Sequence, residues 1–175
     1  VQLTAKKLGV LTRIGSEVAE DAIIGLAEWV AQEHAYEFSQ EEDNAGFIGD
    51  GTSTYGGIFG ATVKVDDGTH TASVYDALSG NTAFSTLDLV DFHGCMGSLP
   101  LYALRNAKWY ISQPGFADSM QRLAYASGGN TTDNISGKPQ LSFLGYPVVL
   151  SQTLNTTLSA DASAVKLLFG DLGLA

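Results

Sequence analysis

Residues 15–52 read GSEVAEDAIIGLAEWVAQEHAYEFSQEEDNAGFIGDGT, and this stretch decides the fold. Gly15-Ser16 breaks the segment before it, with Ser16 placed as an N-cap. Glu17, Glu20 and Asp21 suit the positive end of a helix. Val18, Ala22, Leu26, Trp29 and Val30 then recur at helical spacing. Residues 17–44 contain no Pro, and Gly25 is their one glycine. The spacing predicts a single helix over 17–44, stopped by Gly46. At about 1.5 Å per residue it would be roughly 40 Å long. A compact chain of this length has a radius of gyration of about 16 Å, so such a helix implies an elongated, flattened molecule.

The helix closes against its own electrostatics. Glu41, Glu42 and Asp43 stand near its negative end, each costing about 0.3–1 kcal/mol. Glu33, Glu37 and Glu41 repeat the same charge at i, i+4 spacing. The formal net charge is −10. From Ile14 to Val63 there are ten acids and no Lys or Arg, so the remaining nine acids and nine bases lie elsewhere. The bland reading of Glu41, Glu42 and Asp43 is a solvated face. The sharper one is a subunit contact, compensated by a basic partner. Without clustered bases the chain is not expected to hold nucleic acid tightly.

Outward from the helix, Leu8, Val10, Thr12 and Ile14 alternate as in a strand. A glycine-rich loop covers 46–58. Thr62–Val65 and Thr69–Tyr75 flank Asp67-Gly68, a hairpin signal. A second helix is expected from about Ser85 to Ser98, before Pro100. Ala107–Ser112 reads as a buried strand, and Pro114 opens a third helix ending near Ala124. Residues 127–138, rich in Ser, Gly, Asn and Thr, read as a polar loop. Leu141–Leu150 is strand-like, and Ala164–Phe169 is a final strand.

Composition bounds the class. The chain has 175 residues, 45% apolar and 16% charged, which suits a folded domain or two small ones. No run of about 18 apolar residues exists to cross a membrane. The chain starts at Val1 without a leader and stops after the apolar run Val165, Leu167, Leu168, Phe169, so it reads as part of a longer protein. Cys95 is the single cysteine, which precludes an intrachain disulfide. Sequons at Asn130, Asn134 and Asn155 read as polar loops.

No catalytic constellation emerges. The glycine loop has Thr54 where a dinucleotide fingerprint needs its third Gly, and no Gly-Lys-Ser/Thr succeeds it. No Gly-x-Ser-x-Gly elbow exists. Cys95 reads as a buried helical thiol. His34, Glu37 and Glu41 share a face but lack the second helix a metal site needs. His70 reads as solvated beside a turn, His93 as partly packed, and Asp50 as a turn former. No catalytic residue, cofactor or metal is expected.

The order of the motifs carries a resemblance. Lys6-Lys7-Leu8-Gly9-Val10 through Asp21 resembles the lead-in to the spine helix of tailed-bacteriophage major capsid proteins with the Hong Kong 97 fold. Phe47-Ile48-Gly49-Asp50-Gly51-Thr52, followed by Gly57-Ile58, is similar to that family's glycine loop. Ala107-Lys108-Trp109-Tyr110-Ile111-Ser112 with Pro114 and Leu123 resembles its strand–helix unit. Leu144-Gly145-Tyr146-Pro147-Val148-Val149 and Phe169-Gly170-Asp171 resemble its later strands. The resemblance covers nearly all of residues 5–172. Asp66–Thr82 matches no pattern of the family.

The resemblance implies an α+β fold of the Hong Kong 97 type. Residues 1–82 would be a peripheral-domain portion (strand, long helix, glycine-rich loop, hairpin) and 83–175 an axial-domain portion. It implies an internal fragment lacking the N-terminal arm, extended loop and C-terminal part, so no crosslinking residue is carried over. The function implied is a structural subunit, not an enzyme. Copies would assemble into hexamers and pentamers of an icosahedral shell around double-stranded DNA. Expected partners are other copies, then scaffold, portal and maturation protease proteins. The implied location is the virion, with assembly in the bacterial cytoplasm. An encapsulin-type compartment shell is the alternative within the fold. A small α/β enzyme or ligand-binding domain is the alternative outside it, and it requires a concave pocket with convergent polar groups.

Overall fold

The computed structural model describes residues 6–17, 25–126 and 141–174. The chain divides into two compact units, Val1–Gly60 and Ala61–Ala175. This division falls after Gly60, not after Thr82. The segment 61–82 belongs to the second unit because that unit's residues hold it. The Asp91 carboxylate accepts the Leu78 N–H, and Gly94 lies hard against the Tyr75 ring.

In the first unit, α1 spans Leu26–Ile48. Its 23 residues make a rod of about 34 Å. It is not one helix over 17–44. Residues 16 and 17 are helical and 18–24 lie outside the described residues. Gly25, with ψ 79°, is not helical and serves as the N-cap of α1. Glycine in a helix interior costs about 1 kcal/mol relative to Ala, whereas at a cap it costs little. Leu26, Val30, His34 and Phe38 recur every four residues and are half-buried, and Ala45 is buried. The helix runs through Gly46 and ends at Gly49. Residues 6–15 pair with no strand among the described residues. Alternation alone makes no strand without a ladder to join.

The second unit opens with α2, Ala61–Val65, and a 3-10 turn at Thr71–Ser73. The expected hairpin is absent here. Asp67-Gly68 does turn the chain, with Gly68 at φ 72°. Its carboxylate, however, accepts the Thr69 and His70 main-chain N–H groups and the Lys64 ammonium. Those local bonds hold a helix end and a 3-10 turn together rather than two strands.

Next come α3 (Leu89–Ser98), β1 (Lys108–Ile111), α4 (Gln113–Phe116), a π-helical turn (Ala117–Gln121) and α5 (Arg122–Ala124). The last three run on from one another. Ser112 caps α4 by accepting the Gly115 N–H, and Pro114 sits in the first turn. Then β2 (Ser142–Phe143), β3 (Tyr146–Leu150) and β4 (Leu168–Gly170) complete the sheet. The strand order is β2-β3-β1-β4. β1 runs parallel to β3, pairing Trp109 with Val148, and antiparallel to β4, pairing Trp109 with Phe169.

Leu144-Gly145 links β2 to β3 with positive φ at both positions, 49° and 84°. That is the geometry of a type I′ hairpin turn, whose twist matches the strands.

The core lies on the sheet. Trp109 and Ile111 of β1 pack with Phe84, Leu87, Phe92, Phe116, Met120, Leu123, Phe143 and Val148. Trp109 has no exposed surface and donates its indole N–H to the Phe143 carbonyl at 3.1 Å. Phe92 meets Trp109 and Phe143 edge-on, at centroid distances of 5.6 and 4.9 Å. The architecture is α+β, as the sequence implies.

Candidate subunit-contact surfaces

Consecutive helical residues are rotated by about 100°, so Glu41, Glu42 and Asp43 cannot share a face. Glu41 is half-buried, on the side of Val30, His34 and Ala45. Glu42 and Asp43 are exposed. Among the described residues none of the three forms an ion pair; the ion pairs there converge on Asp67. Glu33, Glu37 and Glu41 do form a continuous acidic row along α1. The His34 Nε2 lies 2.6 Å from the Thr12 hydroxyl. No group of three metal-ligating side chains occurs among the described residues.

The glycine loop after α1 is a built turn. Gly49 and Gly60 approach so closely that neither tolerates a Cβ. At Gly49 a Cβ would sit 2.6 Å from the carbonyl oxygens of Ala45 and Ile58. At Gly60 it would sit 2.5 Å from the Phe47 oxygen and 2.6 Å from the Gly49 nitrogen. The Gly60 N–H donates to the Gly49 carbonyl at 2.7 Å, and Asp50 bridges Phe59. Gly51, at φ 80°, lies beneath the Phe59 ring. The Asp50 carboxylate accepts the Thr52 N–H at 2.9 Å. Bonds to Thr52 hold it below the usual carboxylate range. Asp50 is thus a turn former, as its sequence context suggests.

His70 is not merely solvated, since its Nδ1 lies 2.9 Å from Asp67. Lys64 first, then His70 and the Thr69 N–H, hold the Asp67 carboxyl far below its ordinary value. The sequence signal is present in the Lys64, Asp67, His70 spacing, at i, i+3 and i+6, once the segment is read as helix and turn.

The second unit contains a groove of about 1120 Å³ along 75–82, α3 and 161–174. No His lines it. Three of its carboxylates, Asp91, Asp161 and Asp171, accept main-chain N–H groups. Asp91, buried, accepts the Leu78 N–H at 2.9 Å, the Asn81 amide at 2.7 Å and the Asp88 N–H at 2.9 Å. Asp161 and Asp171 accept the N–H groups of Ser163 and Gly173. Burial pushes the Cys95 thiol up to about 11, so it is protonated and a poor nucleophile at neutral pH. The Lys166 ammonium is buried with no hydrogen-bond partner among the described residues and lies 5.2 Å from the Phe84 ring centroid. Sequence reasoning missed Asp91, although Asp88-x-x-Asp91 has the spacing of a capping box.

No described helix is long and apolar enough to cross a membrane. No curated protein and no solved structure matches the chain. The sequence model of the phage capsid family matches residues 1–175, from the acidic helix through the glycine turn to the last strand. The chain belongs to the phage capsid family.

Proposed function

We propose that this chain is a self-assembling structural subunit of an icosahedral phage or prophage head, with the Hong Kong 97 fold. Copies would form hexamers and pentamers and enclose double-stranded DNA. The observation that carries the reading is the family match along the whole chain. Two physical features support it. In the second unit's groove the Asp91, Asp161 and Asp171 carboxylates are engaged in holding main-chain N–H groups. The acids of α1 have no ion-pair partner among the described residues, as expected of charges met by another molecule.

In this reading the first unit corresponds to the peripheral portion and the second to the axial portion, with 61–82 packed into the latter. Glu41, Glu42 and Asp43 contribute to a subunit contact, Glu42 and Asp43 directly and Glu41 from the half-buried side. Scaffold, portal and maturation protease proteins would be the further partners, and the virion the final location, reached from the bacterial cytoplasm. The acidic balance argues against tight DNA binding, which suits a shell that must release its genome.

Sedimentation velocity on the purified protein tests this. Association should respond to Glu42→Gln and Asp43→Gln and to salt, because exposed charges are screened over about 10 Å at 0.1 M ionic strength. Association indifferent to both would remove the contact role.

A further inference from the structure

We propose that the Trp29–Tyr36 face of α1 docks on the loop between Leu101 and Lys108 of a second copy of this chain. This rests on the reading of the chain as a self-assembling subunit and names the surfaces that meet.

Positions 29, 33, 36, 40 and 43 recur at three- and four-residue spacing, which places them on one helix face. They are Trp29, Glu33, Tyr36, Gln40 and Asp43, all exposed. Trp29 retains 55% and Tyr36 61% of its accessible surface. The apolar stripe that serves the chain's own packing is a different one, through Leu26, Val30, Phe38 and Ala45. Trp29 and Tyr36 are therefore surplus to it. The acids on this face, Glu33 and Asp43, have no base in the sequence from Ile14 to Val63 and no ion pair among the described residues.

The second unit carries the complementary set. Leu101 and Tyr102 occupy a 3-10 turn after Pro100 and retain 85% and 78% of their surfaces. Arg105 follows in the loop and Lys108 opens β1, both exposed and both without an ion pair among the described residues. Each surface thus offers two large exposed side chains, one pair beside acids and the other beside bases. Aromatic anchors with Arg, ringed by complementary charge, are the composition of binding hot spots. The charges set orientation and encounter rate.

Charge also selects the geometry. Pairing α1 with α1 would set Glu33 and Asp43 against their own copies. Pairing the loop with itself would oppose Arg105 and Lys108. Only an α1-to-loop contact matches opposite signs, whether made reciprocally in a two-fold pair or head to tail. Repetition of the head-to-tail form closes into a ring when the rotation allows.

The test is a charge swap read by sedimentation velocity at low and high salt. One variant carries Glu33→Lys with Asp43→Lys, and the other Arg105→Glu with Lys108→Glu. Each alone should weaken self-association by about tenfold or more at low salt. Mixed in equal amounts they should recover it, since each now offers the surface the other lacks. Trp29→Ala and Tyr102→Ala should weaken association at any salt concentration, and they decide the matter should a reversal variant melt early. Association of the unaltered chain with no effect of these changes overturns the inference and leaves the subunit reading standing. So does weakening without recovery on mixing. An unaltered chain that stays monomeric removes both.

Discussion

Gly60→Ala should destabilise the first unit, while Gly46→Ala, fourteen positions away, should not. At Gly60 the added Cβ meets the carbonyl carbon and oxygen of Phe47 and the nitrogen of Gly49. These are backbone atoms on both sides of a turn, so no rotamer change relieves the contact. Overpacking costs about 1–3 kcal/mol where side chains can give way. With backbone on every side the upper end, about 3 kcal/mol, is the expected value. That lowers the folding equilibrium constant by about a hundredfold. The turn also loses its geometry, because the Gly60 N–H bond to the Gly49 carbonyl must lengthen.

At Gly46 a Cβ meets nothing within 4 Å, and the residue is helical and exposed. Replacing a helical glycine with alanine there should gain about 0.5–1 kcal/mol. Urea unfolding followed by far-UV circular dichroism reads both variants, since α1 dominates the first unit's helix signal. Fluorescence of the buried Trp109, in a Trp29→Phe background, reports on the second unit in the same samples. The two changes should shift the far-UV transition in opposite directions and leave the Trp109 transition in place. A Gly60→Ala protein within about 0.5 kcal/mol of the parent would refute the close Gly49–Gly60 approach.

Trp109→Ala should cost about 3–5 kcal/mol and collapse the second unit's near-UV dichroism, because the indole fills the core and donates to Phe143. Retention of that signal would contradict the packing. Asp91→Ala removes the acceptor for Leu78, Asn81 and Asp88. It should cost at least about 2 kcal/mol and expose 76–82 to limited proteolysis; unchanged cleavage would count against its anchoring role. Alkylation of Cys95 at pH 8 should be slow in the native chain and fast in urea, because the thiol titrates near about 11 when buried. Equal rates would show it accessible. Asp67 has a depressed carboxyl, so its turn is stabilised above the ordinary value of 3.8 and loses that contribution as the pH falls below it. A carboxyl-carbon NMR titration with a midpoint at or above 3.8 would refute the Lys64–Asp67–His70 arrangement.

The second unit is the more legible in sequence. Trp109 and Ile111 alternate with Lys108 and Tyr110, and Pro114 marks a helix start, so the β1–α4 step comes from period and proline placement. Leu141–Leu150, read as one strand, is instead split by the Leu144-Gly145 turn into β2 and β3, and the final strand is Leu168–Gly170 rather than Ala164–Phe169. The errors arise where local signals have no tertiary partner. The alternating Leu8, Val10, Thr12 and Ile14 lack a ladder among the described residues. Asp67-Gly68 does turn the chain, but side-chain bonds from Asp67 capture the backbone that a hairpin would use.

Glycine misleads in both directions at α1. Gly25 sits in a run of helical spacing, yet its backbone leaves the helical region and it becomes an N-cap. Gly46 passes unnoticed, and the stop falls at Gly49, where only a close approach to Gly60 explains it. That approach depends on a residue eleven positions later, which no local pattern registers. The acidic triplet looks like one feature in the sequence, yet helical rotation puts Glu41 on a different side from Glu42 and Asp43. The exposed Trp29 stands in the sequence among the residues at helical spacing, and only its surface exposure separates it from the half-buried stripe.

Self-assembly into a shell can be seen by electron microscopy of the protein expressed in bacteria. Hexamers, pentamers or closed shells should form, with particle number falling as salt rises. A homogeneous monomer at every concentration and salt would contradict it.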